Sequence, residues 1–106
     1  MGIWYVQTWT VAKGKTQEHD ELSKRRFEFS EGKIDKKVKA FNAQQGPIGG
    51  RIIIIQFDSY ADYEQHFEKR AQDAEWMKLT QEWLTLIDPN TFKVFFWQET
   101  ERSLNW

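Results

Sequence analysis

Residues 3–12 (IWYVQTWTVA) are rich in aromatic and β-branched side chains and predict a strand. Its two faces read Ile3, Tyr5, Gln7, Trp9, Val11 and Trp4, Val6, Thr8, Thr10, Ala12. A turn at Lys13-Gly14-Lys15 leads into a helix over 16–31. Thr16 stands at its cap, with His19 at the capping-box position, and Gly32 follows its end. The apolar stripe of this helix is thin: His19, Leu22, Arg26 and Phe29 at helical spacing, with Phe27 to one side. Such a polar segment takes its helicity from docking onto other elements.

Residues 38–45 predict a weaker strand and 51–57 (RIIIIQF) a central one. Between them Gly46-Pro47-Ile48-Gly49-Gly50 is the strongest turn signal in the chain, so the two strands form a hairpin. Asp58 and Ser59 open the next helix, Ser59 with Asp62 making a capping box. Tyr60, Tyr63, Phe67, Ala71 and Ala74 share one stripe, which Trp76, Leu79, Trp83, Leu86 and Ile87 continue. A helix over 59–87 is long for a globular domain, so a break is expected near 72–75, and Asp88-Pro89-Asn90 is expected to end it. A last strand follows over 91–99, and the tail ends on Trp106.

The predicted order is βαββαβ, in one domain over residues 1–106. Two βαβ halves with right-handed crossovers give a four-stranded antiparallel sheet with the helices on one face, the α+β ferredoxin-like arrangement. The uncovered face should then be polar. It is not: Ile52 to Ile55 point to both faces, as do Phe95, Phe96 and Trp97. Aromatics reach 16% of the chain, more than one two-layer core of this size hides easily. The simplest cover for a second apolar face is another copy, sheet against sheet, so a homodimer is expected.

Composition narrows the chemistry. There is no cysteine, which removes disulfides, thiolate metal sites and a cysteine nucleophile. No secretory leader pattern opens the chain and no apolar run is long enough to span a membrane, so a cytoplasmic protein is expected. Net charge is −1, which gives no general affinity for nucleic acid, although residues 13–39 carry nine basic against six acidic groups and 58–101 ten acidic against four basic. That bias reads as two solvated helices, or else as a partner-binding basic patch.

His19 and His66 are the only histidines, and no metal-ligand spacing joins them, so no metal site is expected. His19, on the inward stripe, is either a pocket acid or base or a histidine satisfied at a helix start; His66 is either catalytic or a surface residue. No serine lies in a nucleophile elbow, and Gly46 to Gly50 lacks the lysine of a phosphate loop. The best candidate ligand surface is the strand face of Tyr5, Gln7 and Trp9. Set against the helices, it would meet His19, Phe29, Phe67, Trp76 and Trp83, a mostly apolar lining suited to a flat aromatic molecule. Asn42, Arg51 and Arg26 are secondary polar candidates. The alternative is that all these rings simply fill the core, making the chain a non-catalytic dimeric interaction module.

The whole pattern resembles the dimeric α+β barrel superfamily. The likeness is most specific over 51–87, where a strand ends in Phe57-Asp58-Ser59 and a helix leads to Asp73, Glu75 and Trp76. This matches the "F-x-S" and "D-x-E-W" run of the NIPSNAP-like branch, with Ala74 where proline is common. The resemblance implies pairing of two ferredoxin-like sheets, and it extends to antibiotic-biosynthesis-type monooxygenases that work without a cofactor. It also extends to haem-degrading members, which use an asparagine on the first strand, a tryptophan, and an axial histidine on the second helix. Here Gln7 replaces that asparagine, His66 lies on a helix of the right order, and Trp76 follows it. The expected function is a homodimer holding a small apolar or aromatic molecule, monooxygenase-like if catalytic, with haem binding through His66 as an alternative.

Overall fold

The computed structural model describes residues 2–33, 36, 38–46 and 48–98. Among them run β1 (Ile3–Val11), α1 (Thr16–Lys33), β2 (Val38–Asn42), β3 (Gly50–Phe57), α2 (Tyr60–Ala71), α3 (Ala74–Leu84) and β4 (Ile87–Gln98). The strands form one antiparallel sheet in the order β2-β3-β1-β4, which is the ferredoxin-like topology. No described helix is long and apolar enough to cross a membrane.

Register settles which sheet face meets the helices. Tyr5 pairs with Ile55 and Phe96, and Gln7 with Ile53 and Val94. Tyr5, Gln7, Trp9 and Val11 are buried while their neighbours in sequence are only half-buried. Cross-strand partners share a face, so the inner face carries Tyr5, Trp9, Ile53, Ile55 and Phe57, packed on Leu22, Leu79 and Trp83 of the helices. The outer face carries Trp4, Val6, Ile52 and Ile54, half-buried, and Phe95 and Trp97, 42% and 61% exposed. Both faces are apolar, as the strand sequences require.

The expected helix break lies at Gln72–Asp73, where capping separates α2 from α3. Asp73 accepts hydrogen bonds from the Glu75 and Trp76 N–H groups, both 3.1 Å. At the start of α2, Ser59 Oγ accepts from Asp62 N–H at 3.1 Å, while the Asp62 carboxylate accepts from Asp58 N–H rather than from Ser59. This is a capping box displaced by one residue.

Four expectations are corrected. Asp88-Pro89-Asn90 lies inside β4, not at a helix end: α3 stops at Leu84 and β4 begins at Ile87. β4 is an edge strand, and residues 89–92 stand opposite Trp9 alone, so the proline sits in a bulge where no ladder bond is required of it. Thr91 Oγ1 closes this bulge, accepting from Thr10 N–H at 2.8 Å and donating to the Asp88 carbonyl at 2.7 Å. Secondly, β2 stops at Asn42, which lengthens the hairpin connection. It returns to β3 through Gly49, whose φ of 74° favours glycine. Thirdly, the first intrahelical bond of α1 runs from His19 N–H to the Lys15 carbonyl, and the His19 side chain turns inward instead of capping. Finally, α2 buries His66 and Arg70, with Ala71 and Ala74 exposed, so its inward stripe is rotated from the predicted one. Gln98 closes the described part of β4; the expected strand end at Glu99 and the tail to Trp106 lie outside the described residues.

Candidate functional site

The inner side of α1 is polar. It buries His19, Ser23, Arg26 and Ser30 beside a single leucine, Leu22. A helix facing an apolar sheet with such a surface does not fill the space between them. A cleft of about 320 Å³ lies there, bounded on the helix side by His19, Asp20, Ser23 and Phe27 and on the sheet side by Trp9, Ala40, Asn42 and Arg51.

His19 is the ordered centre of this cleft. It is 1% exposed. The Trp9 indole N–H donates to His19 Nε2 at 2.9 Å, and Nδ1 lies 2.9 Å from Asp20 Oδ1. An indole nitrogen can only donate, so Nε2 is the acceptor and the ring proton sits on Nδ1, donating to Asp20. Asp20 is held in turn by the Arg51 guanidinium at 3.4 Å, and Arg51 is anchored to the Gly50 carbonyl at 3.0 Å. Burial pulls the His19 pKa below its ordinary value, opposed by Asp20 and reinforced by the positive charges of Arg51 and Arg26. The result is a neutral imidazole of fixed tautomer, with its basic nitrogen aimed at Trp9 and with Ser23 Oγ 3.4 Å away.

The other anticipated residues fall into two groups. Tyr5 and Phe67 belong to an aromatic cluster with Phe57, Tyr63 and Phe96. Burial pushes the Tyr5 hydroxyl up to about 12, and it donates to Gln7 Oε1 at 3.2 Å. Trp83 packs edge-on to Trp9 at 5.1 Å. Phe29 stacks on Trp76 at 6.0 Å. Of the seven expected ligand-binding residues, only Trp9 lines this cleft; Tyr5, Gln7 and Trp83 are packed in the core. The residues sequence reasoning missed are Asp20, Ser23 and Phe27. The signal for Ser23 was its position four residues after His19, one helical turn on the same face.

His66 is not on the surface. It is 8% exposed, with its ring 5.3 Å from that of Phe57. Burial, with help from Arg70, depresses its pKa to about 4. It lines neither the cleft on α1 nor the second hollow described below. That hollow, about 480 Å³, lies at the polar end of the outer sheet face, among Thr8, Thr10, Asn90, Thr91 and Lys93. No group of three or more candidate metal ligands occurs among the described residues.

Arg26 and Arg70 are buried cations, 8% and 4% exposed. Neither forms an ion pair among the described residues. The Arg26 guanidinium lies 4.7 Å from the Trp76 ring centroid and 4.4 Å from that of Trp83, and one terminal nitrogen donates to Thr80 Oγ1 at 3.3 Å. Arg70 lies 5.4 Å from Trp76 and 5.6 Å from Phe29. Burial lowers both pKa values, that of Arg26 to about 10. Cation–π contacts return about 0.5–2 kcal/mol each. Removing an unpaired ion from water costs several kcal/mol. Ring stacking therefore offsets only part of the cost of holding these two charges inside.

No protein-family model matches this sequence, and no curated protein matches it. Solved structures do share the fold. A NIPSNAP family protein from Agrobacterium tumefaciens superposes with a TM-score of 0.84 at 20% identity, covering 96% of this chain and 89% of that one. An uncharacterised NIPSNAP domain protein from Burkholderia xenovorans gives 0.82 at 12% identity, covering 97% and 99%. SnoaB, a cofactor-independent oxygenase from Streptomyces nogalater, gives 0.72 at 10% identity, covering 95% of each chain. The chain thus has the ferredoxin-like α+β fold found in NIPSNAP family proteins and in a cofactor-independent oxygenase. At these identities the likeness is one of fold.

Proposed function

We propose that this protein is a homodimer in which each subunit holds a small, flat aromatic molecule in the cleft between α1 and the sheet, and that His19 acts there as a general base for oxygenation without a metal or flavin. The observation that carries this reading is the Asp20–His19–Trp9 chain, buried at His19 and Trp9 and open to solvent at Asp20, with a neutral imidazole of fixed tautomer lining a cleft. A shared fold with a cofactor-independent oxygenase supports it.

The chemistry follows from the bonds. A phenol entering the cleft exchanges its O–H for the Trp9 N–H at Nε2 and gives up its proton there. The displaced indole N–H is then free to donate to the phenolate oxygen. The delocalised anion carries charge onto a ring CH, which bonds to dioxygen, the oxidant. The peroxide anion recovers the proton from His19, and the hydroperoxide loses water to leave a ketone. One oxygen atom ends in product and one in water. Asp20 holds the ring and stabilises the imidazolium, and Phe27 supplies apolar wall.

The dimer is supported by the outer face, whose Trp4, Val6, Ile54, Phe95 and Trp97 form one contiguous apolar surface across three strands. Native mass spectrometry of freshly purified protein tests both parts. A dimer carrying extra small-molecule mass is expected, and a bare monomer argues against both. With an anthrone as probe under air, His19→Gln should slow quinone formation by 10²-fold or more. Unchanged turnover removes the base from the mechanism.

A further inference from the structure

We infer that Arg26 and Arg70 form a binding site for a carboxylate, one carried on a flat ring, at the junction of α1, α2 and α3. The inference is independent of the His19 cleft, whose lining includes neither arginine.

Among the described residues, four buried donor atoms have no acceptor; Arg51 Nε lies at the His19 cleft, and three lie in this region: Arg26 Nε, Arg70 Nε and the indole Nε1 of Trp83. Buried donors are nearly always paired in folded proteins. Here the unpaired ones cluster: Arg26 reaches both Trp83 and Trp76, and Arg70 reaches the same Trp76 ring. The unpaired atoms are all donors, and two belong to guanidinium cations. The acid whose charge acts on Arg70 through space is Asp73, but its carboxylate is engaged in capping α3 and forms no ion pair among the described residues. Among the described residues, the group that raises the Arg26 pKa is Tyr5, a neutral phenol at ordinary pH, and the histidine that Arg26 acts on, His19, is no anion either. Two positive charges, excess donors and no ion-paired acid among the described residues define a place for an anion.

The geometry narrows the class. A guanidinium edge presents parallel N–H groups that match the two oxygens of a carboxylate. The surrounding surface is aromatic: Trp76, Trp83 and Phe29, the last stacked on Trp76 with an interplanar angle of 20°. A fully hydrated inorganic anion gains nothing from such walls, whereas an arene carboxylate gains ring contact and charge neutralisation together.

The probe is benzoate, titrated at constant ionic strength with benzamide and inorganic phosphate as comparators. The readout is the Trp83 indole N–H and the Arg26 and Arg70 Nε–H resonances in nitrogen-correlated spectra. Saturable shifts with benzoate, at least tenfold weaker response to benzamide, and loss of at least tenfold in affinity in Arg26→Met and Arg70→Met are expected. Because methionine removes a buried charge that ring stacking only partly compensates, each variant should melt no lower than wild type without ligand, while benzoate raises the Tm of wild type only. Equal response to benzamide would show an aromatic site with no use for charge. Saturation by phosphate with none by benzoate would show an inorganic oxyanion site. No saturable response would leave the arginines as cation–π packing. Any of these three overturns the proposal. Should a methionine variant fail to fold, the arginines are structural at that position, and Arg→Lys variants decide the matter: retained benzoate affinity with no loss of Tm supports the site, and unchanged benzamide discrimination in wild type is still required.

Discussion

The Trp9 indole N–H and the His19 Nε2 atom meet at 2.9 Å across the interior, joining the middle of the sheet to the first turn of α1. The bond stabilises neutral His19, because a protonated ring would set two donors against each other. Trp9→Phe removes the donor and keeps much of the ring. The His19 pKa should rise towards its ordinary value, and stability should fall by roughly 1–3 kcal/mol from the lost bond and volume. Proton NMR titration of the imidazole checks this, and an unmoved pKa would mean that burial alone sets it.

His66 makes stability depend on pH. Its folded pKa of about 4 lies below the ordinary 6.5. The unfolded state therefore binds the proton more readily, and stability rises with pH between those values. It is complete above about pH 6.5 and lost progressively as pH falls towards 4. The groups facing it are Arg70, Lys36 and Lys69, which oppose its protonation, and Asp62, which favours it. His66→Gln should flatten the pH dependence of the unfolding free energy, read by urea denaturation, over that window by an amount on the order of 2 kcal/mol. A slope retained in the variant would assign it to other groups, His19 first.

Asp73 holds α3 in register with the break after α2. Asp73→Ala should lower unfolding free energy by about 1 kcal/mol, and Asp73→Asn by only a few tenths, since an amide oxygen also caps. Urea denaturation distinguishes the two. Equal losses would point to the through-space attraction between Asp73 and Arg70 instead.

Phe95 stands in the centre of the outer face, paired through Val6 with Ile54. Covering an apolar patch of several hundred Å² is worth many kcal/mol at about 25 cal/mol per Å² before association costs. Phe95→Lys should convert a dimer at low micromolar concentration to a monomer with an unchanged far-ultraviolet spectrum. Sedimentation equilibrium reads this directly, and a wild-type monomer there would dismiss the sheet-to-sheet dimer.

Much of the architecture was legible because local chemistry and tertiary need agreed. The Gln72–Asp73 break was visible because twenty-odd residues of amphipathic pattern exceed a normal helix, and Asp73 is a good cap. The position of Pro89 misled because proline reads as a terminator, while edge strands with bulges accept it. The site was harder. Periodicity counts apolar residues, yet the buried positions of α1 and α2 hold His19, Ser23, Arg26, His66 and Arg70. No hydropathy pattern assigns such residues to an interior; only the packed neighbours do. Asp20 was hidden because adjacent helix residues point apart, and it reaches His19 Nδ1 by turning back along the helix surface.

The cleft owes its room to β2, where the inward positions carry Ala40 and Asn42 opposite Ile53 and Arg51. Only short side chains there leave the space beside His19 open. One position on an edge strand therefore meters capacity without touching the hydrogen-bonded histidine. Exchanging Ala40 for serine, valine or leucine grades the chamber from roomy to plugged, a dial by which descent or design can refit the same scaffold to guests of different size.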